Sequence, residues 1–311
     1  MIYTVTFNPS IDYTIEVENL QLNGLNRIKN ERKFPGGKGI NVSRVLHRLG
    51  ADTTVLGFVG GFTGHFIENW LKMEGISTQF VYVEEDTRIN IKLKTVGGGE
   101  TEINGQGPFI SPEQYRQFEE KLLQVQPGDT IVLAGSIPSS LSPSLYEELT
   151  SFLNRRCIRT VVDISGPALG KAAARRPFLV KPNHHELGQL FDTRLETVEE
   201  VIPYARRLQQ MGPEHVIVSM AGQGALLFTP EAAYMSDVPK GKVIHSVGAG
   251  DSMVAGFIAQ YEQTGDVLKA FKTAVAAGSA TAFSQDLCRK ELVEQLQKSI
   301  RIYSLEGGTV L

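Results

Sequence analysis

Short apolar runs of strand length alternate with helical patterns through most of this chain. Segments 147–153 and 199–211 place apolar residues at i, i+3 and i+4 spacing, which is typical of amphipathic helices. The strand-length runs around them lie at 131–134, 160–163, 178–181 and 215–219. Short buried strands that alternate with helices predict an α/β fold with a doubly wound, mostly parallel sheet flanked by helices. In such a sheet a ligand binds beyond the carboxyl ends of the strands.

Two segments, at about 11–33 and 80–104, alternate apolar and polar residues instead. They are also rich in turn residues, including the three glycines at 97–99. Such alternation predicts half-exposed antiparallel strands. We interpret the two segments as a small β-sheet lid that is part of a single large domain of 311 residues.

Composition and charge exclude several classes of protein. The net charge of -3 does not favour a nucleic-acid surface. No apolar run approaches the length of about 18 residues that a membrane span needs, so no membrane partner is expected. Cys157 and Cys288 share no metal-ligand spacing and do not form a disulfide framework. They indicate reduced thiols in a cytoplasmic protein.

The segment 246–257 carries the most specific local pattern. Gly248, Ala249 and Gly250 directly precede Asp251, and an apolar series at helical spacing follows. This pattern predicts a tight loop that opens a helix, whose bare N–H groups and dipole attract an anion. A carboxylate beside such a site suits phosphoryl transfer. A purely structural glycine turn with an aspartate in the first helical turn fits the spacing equally well.

A second glycine loop lies at 35–43 and also precedes an apolar series at helical spacing. Gly37 permits close approach of the backbone, Lys38 adds a positive charge, and Asn41 offers a donor and an acceptor to a hydroxyl group. The loop predicts a site for a polar, anionic small molecule, the alternative being a structural turn with a solvated lysine. The loop 35–43 is not a Walker A loop. In the other glycine loop, Met253 occupies the position of the third glycine of a nicotinamide-binding fingerprint, which argues against that function.

Weaker candidates lie in the lid segments. Asp12 could bind sugar hydroxyls, although a lone aspartate is more often a turn residue. Arg27 and Arg88 carry forks that match phosphate geometry, although each alone is also typical of a solvated surface charge.

Two further loops follow predicted strands. Asn183 and Glu186 could face a water-rich Mg²⁺ site, but the local pattern fits a helix capping box better. The loop with Ser219, Gly222 and Gly224 could accept the phosphates or ribose of a nucleotide, and it fits a tight hairpin equally well.

Taken together, these motifs resemble the signatures of the PfkB (ribokinase-like) carbohydrate kinases. The resemblance is carried by the glycine–lysine loop 36–43, the Asn-x-x-Glu motif 183–186 and the Gly-Ala-Gly-Asp motif 248–251, in the family's order. With the segments 8–12 and 135–138 added, the chain is most similar to the branch of 1-phosphofructokinases and tagatose-6-phosphate kinases.

The resemblance implies a ribokinase-like fold, a β lid and a homodimer formed through the lid. It implies transfer of the γ-phosphoryl group of ATP, with Mg²⁺, to a hydroxyl group of a ketohexose phosphate. Fructose 1-phosphate, giving fructose 1,6-bisphosphate, is the leading substrate. Tagatose 6-phosphate and then fructose 6-phosphate are the alternatives, and a non-catalytic sugar-phosphate sensor is an alternative of another class.

The resemblance also implies a role for each matched residue. The general base is Asp251, and the anion hole consists of Gly248, Ala249 and Gly250. The residues that hold the sugar phosphate are Asp12, Gly37, Lys38 and Asn41, with Arg27 and Arg88 on its phosphate. The residues that approach ATP are Ser219, Gly222, Gly224 and Gly250, and those that organise Mg²⁺ through water are Asn183 and Glu186.

One departure from the family pattern concerns a monovalent cation. Many members carry Asp-Thr where this chain has His245 and Ser246. That aspartate is linked in the family to a monovalent-cation site, so activation by K⁺ is doubtful here.

Overall fold

Two β-sheets and the helices around them form the part of the chain, residues 1–305, that this computed structural model describes. The strands are β1 (Ile2–Thr6), β2 (Ser10–Val17), β3 (Asn30–Gly36), β4 (Thr53–Gly60), β5 (Ser77–Val83), β6 (Arg88–Thr95), β7 (Glu100–Asn104), β8 (Thr130–Ala134), β9 (Arg159–Asp163), β10 (Leu179–Val180), β11 (His215–Ser219), β12 (Ala225–Phe228), β13 (Ala233–Ser236) and β14 (Ile302–Ser304). The helices are α1 (Lys38–Arg48), α2 (Gly61–Met73), α3 (Pro112–Leu122), α4 (Leu145–Arg155), α5 (Pro167–Ala173), α6 (His184–Leu190), α7 (Val198–Gln210), α8 (Ala249–Thr264), α9 (Val267–Ala282) and α10 (Lys290–Gln297).

The large sheet has ten strands in the order β14-β13-β12-β11-β10-β9-β8-β1-β4-β5. The run from β5 to β11 is parallel, and its strands other than the edge strand β5 are almost wholly buried because helices cover both faces. Strands β12 to β14 add an antiparallel edge, since the short turn after β11 can only reverse the chain. The predicted α/β class with a mostly parallel sheet is confirmed.

The small sheet has four strands in the order β3-β2-β6-β7. Its outer pairs are antiparallel, as predicted, but the central pair of β2 and β6 is parallel. The prediction failed there because β2 and β6 are separated by a long crossover through the large sheet, which reading each segment alone does not reveal. The predicted segment 80–104 also begins too early, because residues 80–83 belong to β5 of the large sheet.

Both glycine loops lead into helices at the same edge of the large sheet. Helix α1 follows Gly37, whose φ of +115° favours glycine, and a Cβ there would lie 2.7 Å from Thr6 Cγ2. Helix α8 follows Gly248, whose φ is +76°. Helices α1 and α8 pack against each other, so two loops that are about 200 residues apart in sequence become neighbours. Among residues 1–305, no helix has both the length and the apolar character needed to cross a bilayer.

His215 generates a prediction about acid stability. Its ring is 4% exposed, packs on Phe178, Phe257 and Tyr261, and has no hydrogen-bond partner for either nitrogen among the described residues. Burial lowers its pKa to about 4 and outweighs the opposing charge of Glu231.

Between pH 6.5 and about 4, His215 is protonated in the unfolded chain but remains neutral in the folded protein. The free energy of unfolding therefore decreases as the pH falls through this window. In His215→Phe, we expect the acid-induced decrease in the free energy of unfolding to be smaller by up to about 3 kcal/mol. Urea unfolding at pH 7 and pH 4.5 measures it, with His47→Phe as an exposed control. An unchanged loss in His215→Phe would refute the assignment.

Candidate active site

The two glycine-loop helices meet through a direct side-chain hydrogen bond. Asn41 lies in the first turn of α1, and Asp251 lies in the first turn of α8. Asn41 Nδ2 donates to Asp251 Oδ2 at 2.8 Å, and the Asp251 side chain is only 6% exposed. The predicted neighbourhood of these two motifs is therefore present in the structure.

A buried charge cluster lies beside this pair. Asp163, at the carboxyl end of β9, is fully buried. Its Oδ1 lies 3.2 Å from Lys38 Nζ and 3.4 Å from Lys181 Nζ. Its Oδ2 has no hydrogen-bond partner within residues 1–305. Lys181 Nζ would lie 3.0 Å from a Cβ on Gly250, so its ammonium group lies directly against the loop that begins α8.

The cluster separates the pKa values of its two carboxylates. Burial and then the charge of Asp163 raise the pKa of Asp251 to about 6, against the opposing effects of Lys38, Asn41 and Lys181. Burial also disfavours a charged Asp163, but Lys181 and Lys38 hold its pKa below the usual value. Burial lowers the pKa of Lys38, but the charges of nearby carboxylates, of which Asp163 has the largest effect, raise it above the usual value. Asp163 thus remains ionised, while Asp251 titrates close to neutral pH.

The first cavity, which we call the lid cavity, lies between the small sheet and α1. Its volume is about 510 Å³, and Asp12 and Asn41 are among its lining residues. Asp12 accepts a hydrogen bond from Ser10 Oγ at 2.8 Å and pairs with Lys92 Nζ at 3.3 Å. Gly36 lies against it, since a Cβ there would be 2.4 Å from Asp12 Oδ1. Oxygens and cations at this wall suit a polyhydroxylated anion.

The structure does not bring the two predicted phosphate-binding arginines together. Arg88 Nη1 and Nη2 donate to the carbonyl oxygens of Gly105 and Asn8 at 3.0 and 2.9 Å, while Nε is buried without a partner in the described chain. Burial lowers its pKa. Arg27 is exposed in the loop after β2 and does not line the lid cavity.

The second cavity, which we call the interhelix cavity, is larger, at about 820 Å³, and lies on the other side of Asp251. Apolar residues of α8, α9 and the segment 238–243 form much of its wall. The predicted residues that line it are Lys38, Asn183, Glu186, Ser219, Gly222, Gly224, Ala249, Gly250 and Asp251. Its apolar wall and polar end suit a nucleotide, with its base on the wall and its phosphates at α8.

The first turn of α8 has free backbone donors for an anion. Ala249 N–H is already used, because it donates to the carbonyl oxygen of Ser246 at 3.2 Å. Within residues 1–305, the N–H groups of Gly248 and Gly250 have no partner. Two of the three amides of the predicted anion hole, those of Gly248 and Gly250, are therefore free to donate to a ligand.

The motif 183–186 adopts the structural alternative that its local pattern favoured. Asn183 Oδ1 accepts from Glu186 N, and Glu186 Oε2 accepts from Asn183 N, both at 2.8 Å, which is a capping box. Glu186 Oε1 lies 3.8 Å from Lys38 Nζ at the cavity wall. The loop 219–224 likewise forms a hairpin between β11 and β12, and it also lines the interhelix cavity.

Three site residues were not assigned a role from the sequence. Asp163 and Lys181 end buried strands, and that position was the available signal. The ion pair between Asp163 and Lys181 joins the ends of two different strands, so no spacing along the sequence predicts it. Lys92 lies in the lid strand β6 among alternating residues and looks like a solvated charge until register places it beside Asp12.

Comparison with known proteins gives the family. A model of the pfkB family of carbohydrate kinases matches residues 5–291. The chain belongs to this family. It is similar to the 1-phosphofructokinase of Bacillus subtilis (strain 168), with 54% identity over 305 residues, which cover 98% of this chain and 100% of the relative.

Two more proteins extend the comparison. The D-tagatose-1-phosphate kinase of Bacillus licheniformis is 38% identical over 306 residues, 98% of this chain and 100% of the relative. The crystal structure of phosphofructokinase-2 from Escherichia coli in complex with substrates and products has a TM-score of 0.91 and 30% identity, covering 96% of this chain and 98% of that chain. The chain is therefore a carbohydrate kinase with the ribokinase-like fold predicted from its motifs.

The raised pKa of Asp251 predicts a gain in stability when its charge is removed. The folded pKa of about 6 lies above the ordinary value of 3.8, so ionised Asp251 costs folding free energy above pH 6 and none below pH 3.8. We expect Asp251→Asn to raise the free energy of unfolding at pH 8 by up to about 3 kcal/mol.

Urea unfolding from pH 8 to pH 4 measures this effect, which should shrink as the pH falls. Asp52→Asn, an exposed change of the same kind, is the control. A variant that is less stable than the original protein at pH 8 would contradict the electrostatic description of the site.

Proposed function

We propose that this kinase transfers the γ-phosphoryl group of ATP to a ketohexose phosphate, with fructose 1-phosphate as substrate and fructose 1,6-bisphosphate as product. The 54% identity to a relative named 1-phosphofructokinase, over nearly both full lengths, supports this substrate. The cations and oxygens of the lid cavity are consistent with a phosphorylated sugar.

One observation carries the proposal more than any other. Asp251 lines the interhelix cavity, while its hydrogen-bond donor Asn41 lines the lid cavity. The carboxylate thus lies at the boundary between a site suited to a nucleotide and a site suited to a sugar. Phosphoryl transfer requires positioning of two substrates across such a boundary and neutralisation of charge, with little covalent participation by the protein.

In the proposed reaction, Asp251 accepts the proton of the attacking sugar hydroxyl. Asn41 orients the carboxylate by holding Oδ2, and a pKa of about 6 leaves it ionised at neutral pH but still able to bind a proton. The N–H groups of Gly248 and Gly250 and the ammonium group of Lys181 would stabilise the migrating phosphoryl group. Lys38, fixed by Asp163, adds a second cation.

The sugar phosphate would be held at the lid cavity by Asp12 and Asn41, with Gly37 permitting close approach. Arg88 does not line the lid cavity, and its Nη1 and Nη2 are bonded to backbone carbonyl oxygens, so its predicted contact with the phosphate would require the side chain to reorient. Arg27 is exposed in this protomer, so its predicted contact with the phosphate would require the loop after β2 to close or a partner subunit to supply it.

Mg²⁺ fits the interhelix cavity as an ion whose ligands are mainly nucleotide phosphate oxygens and water. Glu186 presents Oε1 to the cavity, but no group of three or more metal-ligating side chains exists in the described part of the chain. Mg²⁺ typically keeps several waters and uses one or two carboxylates plus phosphates. When bound, it would neutralise phosphate charge, and Glu186, positioned by Asn183, would hold it through water.

Two expectations from the sequence complete the proposal. The face of the small sheet opposite Asp12 exposes Ile89 and Ile103, 39% and 56% respectively, which is consistent with a homodimer formed through the lid. The half-buried imidazole of His245, whose pKa burial lowers, stands where related kinases carry an aspartate, so turnover without K⁺ is expected.

The experiment that tests the substrate is a side-by-side kinetic comparison of fructose 1-phosphate, tagatose 6-phosphate and fructose 6-phosphate with ATP. We expect fructose 1-phosphate to give the highest kcat/KM in a coupled assay of ADP release. A higher value for either other sugar would transfer the assignment to it. Binding of a sugar phosphate without ADP release would identify a sensor instead.

Removal of the base tests the mechanism separately. Asp251→Asn should bind ATP and the sugar phosphate yet turn over at least about a hundredfold more slowly, because a positioned general base contributes about 10²–10⁴-fold. Steady-state kinetics and ligand titration measure both effects, and Asp52→Asn should behave like the original protein.

The pH dependence adds a second measure of the same role. In the original protein kcat should be constant above pH 7 and fall below pH 6, as Asp251 becomes protonated with its pKa of about 6. Near-normal turnover of Asp251→Asn would remove this residue as the base.

A further inference from the structure

A cluster of ion pairs, in which one arginine is buried and the other members are partly exposed, joins three segments at the wall of the lid cavity. We call it the arginine cluster, and it consists of Arg44 and Arg48 of α1, Glu74 after α2, and Asp286. Arg44 is 1% exposed and donates to both oxygens of Glu74 at 2.8 Å and to both oxygens of Asp286 at 3.2 and 2.9 Å. Arg48 Nη2 donates to Asp286 Oδ2 at 2.7 Å.

Stability alone is a weak explanation for such a cluster. The cost of desolvating buried ions often cancels their attraction, and apolar residues of similar size can replace them without loss. What the arginine cluster does fix is the segment 284–288, which has neither helix nor strand to define its shape. Asp286 is the member of the cluster that belongs to this segment, and Arg44 and Arg48 satisfy both of its oxygens.

The segment 284–288 lies against the start of α8. Arg48 Nη1 also donates to the carbonyl oxygen of Leu287 at 2.6 Å. Leu287 Cδ2 would lie 2.6 Å from a Cβ on Gly248, so the Leu287 side chain packs directly on the residue that begins the anion site. A shift of Leu287 would therefore leave a gap beneath Gly248 or press on it.

A chain of hydrogen bonds between hydroxyl groups also connects the segment 284–288 to the first turn of α8. Cys288 N donates to Thr281 Oγ1 at 3.0 Å, and Thr281 Oγ1 lies 2.7 Å from Ser252 Oγ. Ser252 Oγ in turn donates to the carbonyl oxygen of Gly248 at 2.8 Å. The segment 284–288 is thus coupled to Gly248 by packing and by hydrogen bonds.

We propose that Asp286 is a positioning residue, which, held between Arg44 and Arg48, fixes the segment 284–288 as the support for Gly248 and the first turn of α8. Its effect on turnover rests on the proposed function, because that function places the transferred phosphoryl group at this turn. Its effect on the conformation of the turn does not depend on the substrate.

Two isosteric variants separate positioning from general stabilisation. Asp286→Asn removes the charge that holds the segment, while Glu74→Gln removes an equivalent charge from the same two arginines on the side of α2. Hydrogen exchange of the amides 246–252 in the free protein reads the conformation of the turn directly. We expect exchange at least about tenfold faster in Asp286→Asn and unchanged in Glu74→Gln.

Equal acceleration in both variants, or none in Asp286→Asn, would overturn the proposal. If Asp286→Asn does not fold, Arg48→Gln provides the same comparison, because it removes the bond to Leu287 and one bond to Asp286. These outcomes do not depend on which sugar is phosphorylated, so they remain decisive if the proposed function fails.

Kinetics provides the functional readout on the sugar phosphate that the original protein turns over best. Misplacement of the anion site should lower kcat of Asp286→Asn about tenfold to a hundredfold while the KM for ATP and for the sugar stays within about threefold. Glu74→Gln should retain kcat within about twofold. A raised KM for the sugar with an unchanged kcat would make Asp286 a sugar ligand instead and overturn the positioning role.

Discussion

The hydrogen bond from Asn41 to Asp251 is the constraint on which this site depends. It joins residues that are 210 positions apart and lies where the lid cavity and the interhelix cavity meet. For the bond to form, α1 and α8 must both begin at the same edge of the sheet, and each must follow a glycine with positive φ. The fold therefore serves mainly to bring two helix N-termini to one place.

Charge balance explains how a carboxylate can remain reactive in so buried a position. Two ammonium groups flank the site, but both are paired with Asp163, so Asp251 does not receive a full salt bridge of its own. Burial, and then the charge of Asp163, therefore keep the pKa of Asp251 above the usual range. Functional sites commonly lose folding free energy where strongly perturbed groups cluster, and the proposed role of Asp251 is consistent with this pattern.

Local sequence signals were sufficient for much of the fold and for the outline of the site. The apolar spacing after Gly37 and Gly248 predicted both helices, and the motifs that carry Asn41 and Asp251 predicted the groups that meet. The parallel pairing of β2 with β6 was missed because pairing across a long connection depends on the whole topology. Asn183 also shows that one pattern can satisfy a structural role, the capping box, and line the cavity at the same time.

Interactions between distant ions were beyond the reach of sequence patterns. Asp163 meets Lys38 and Lys181 only because three elements end at one edge, and Asp286 meets Arg44 across 242 residues. Coulomb interactions depend on distance in space, so no spacing along the chain encodes these partners.

The central claim is that one carboxylate contacts the acceptor hydroxyl while the amides of the adjacent turn contact the transferred group. A crystal structure with a non-hydrolysable ATP analogue and the preferred sugar phosphate tests it most directly. The account predicts the acceptor hydroxyl within about 3.2 Å of an Asp251 oxygen, and the γ-phosphoryl group at the N–H groups of Gly248 and Gly250. A complex in which the acceptor hydroxyl lies beyond hydrogen-bond reach of Asp251, with the phosphates away from α8, would contradict it.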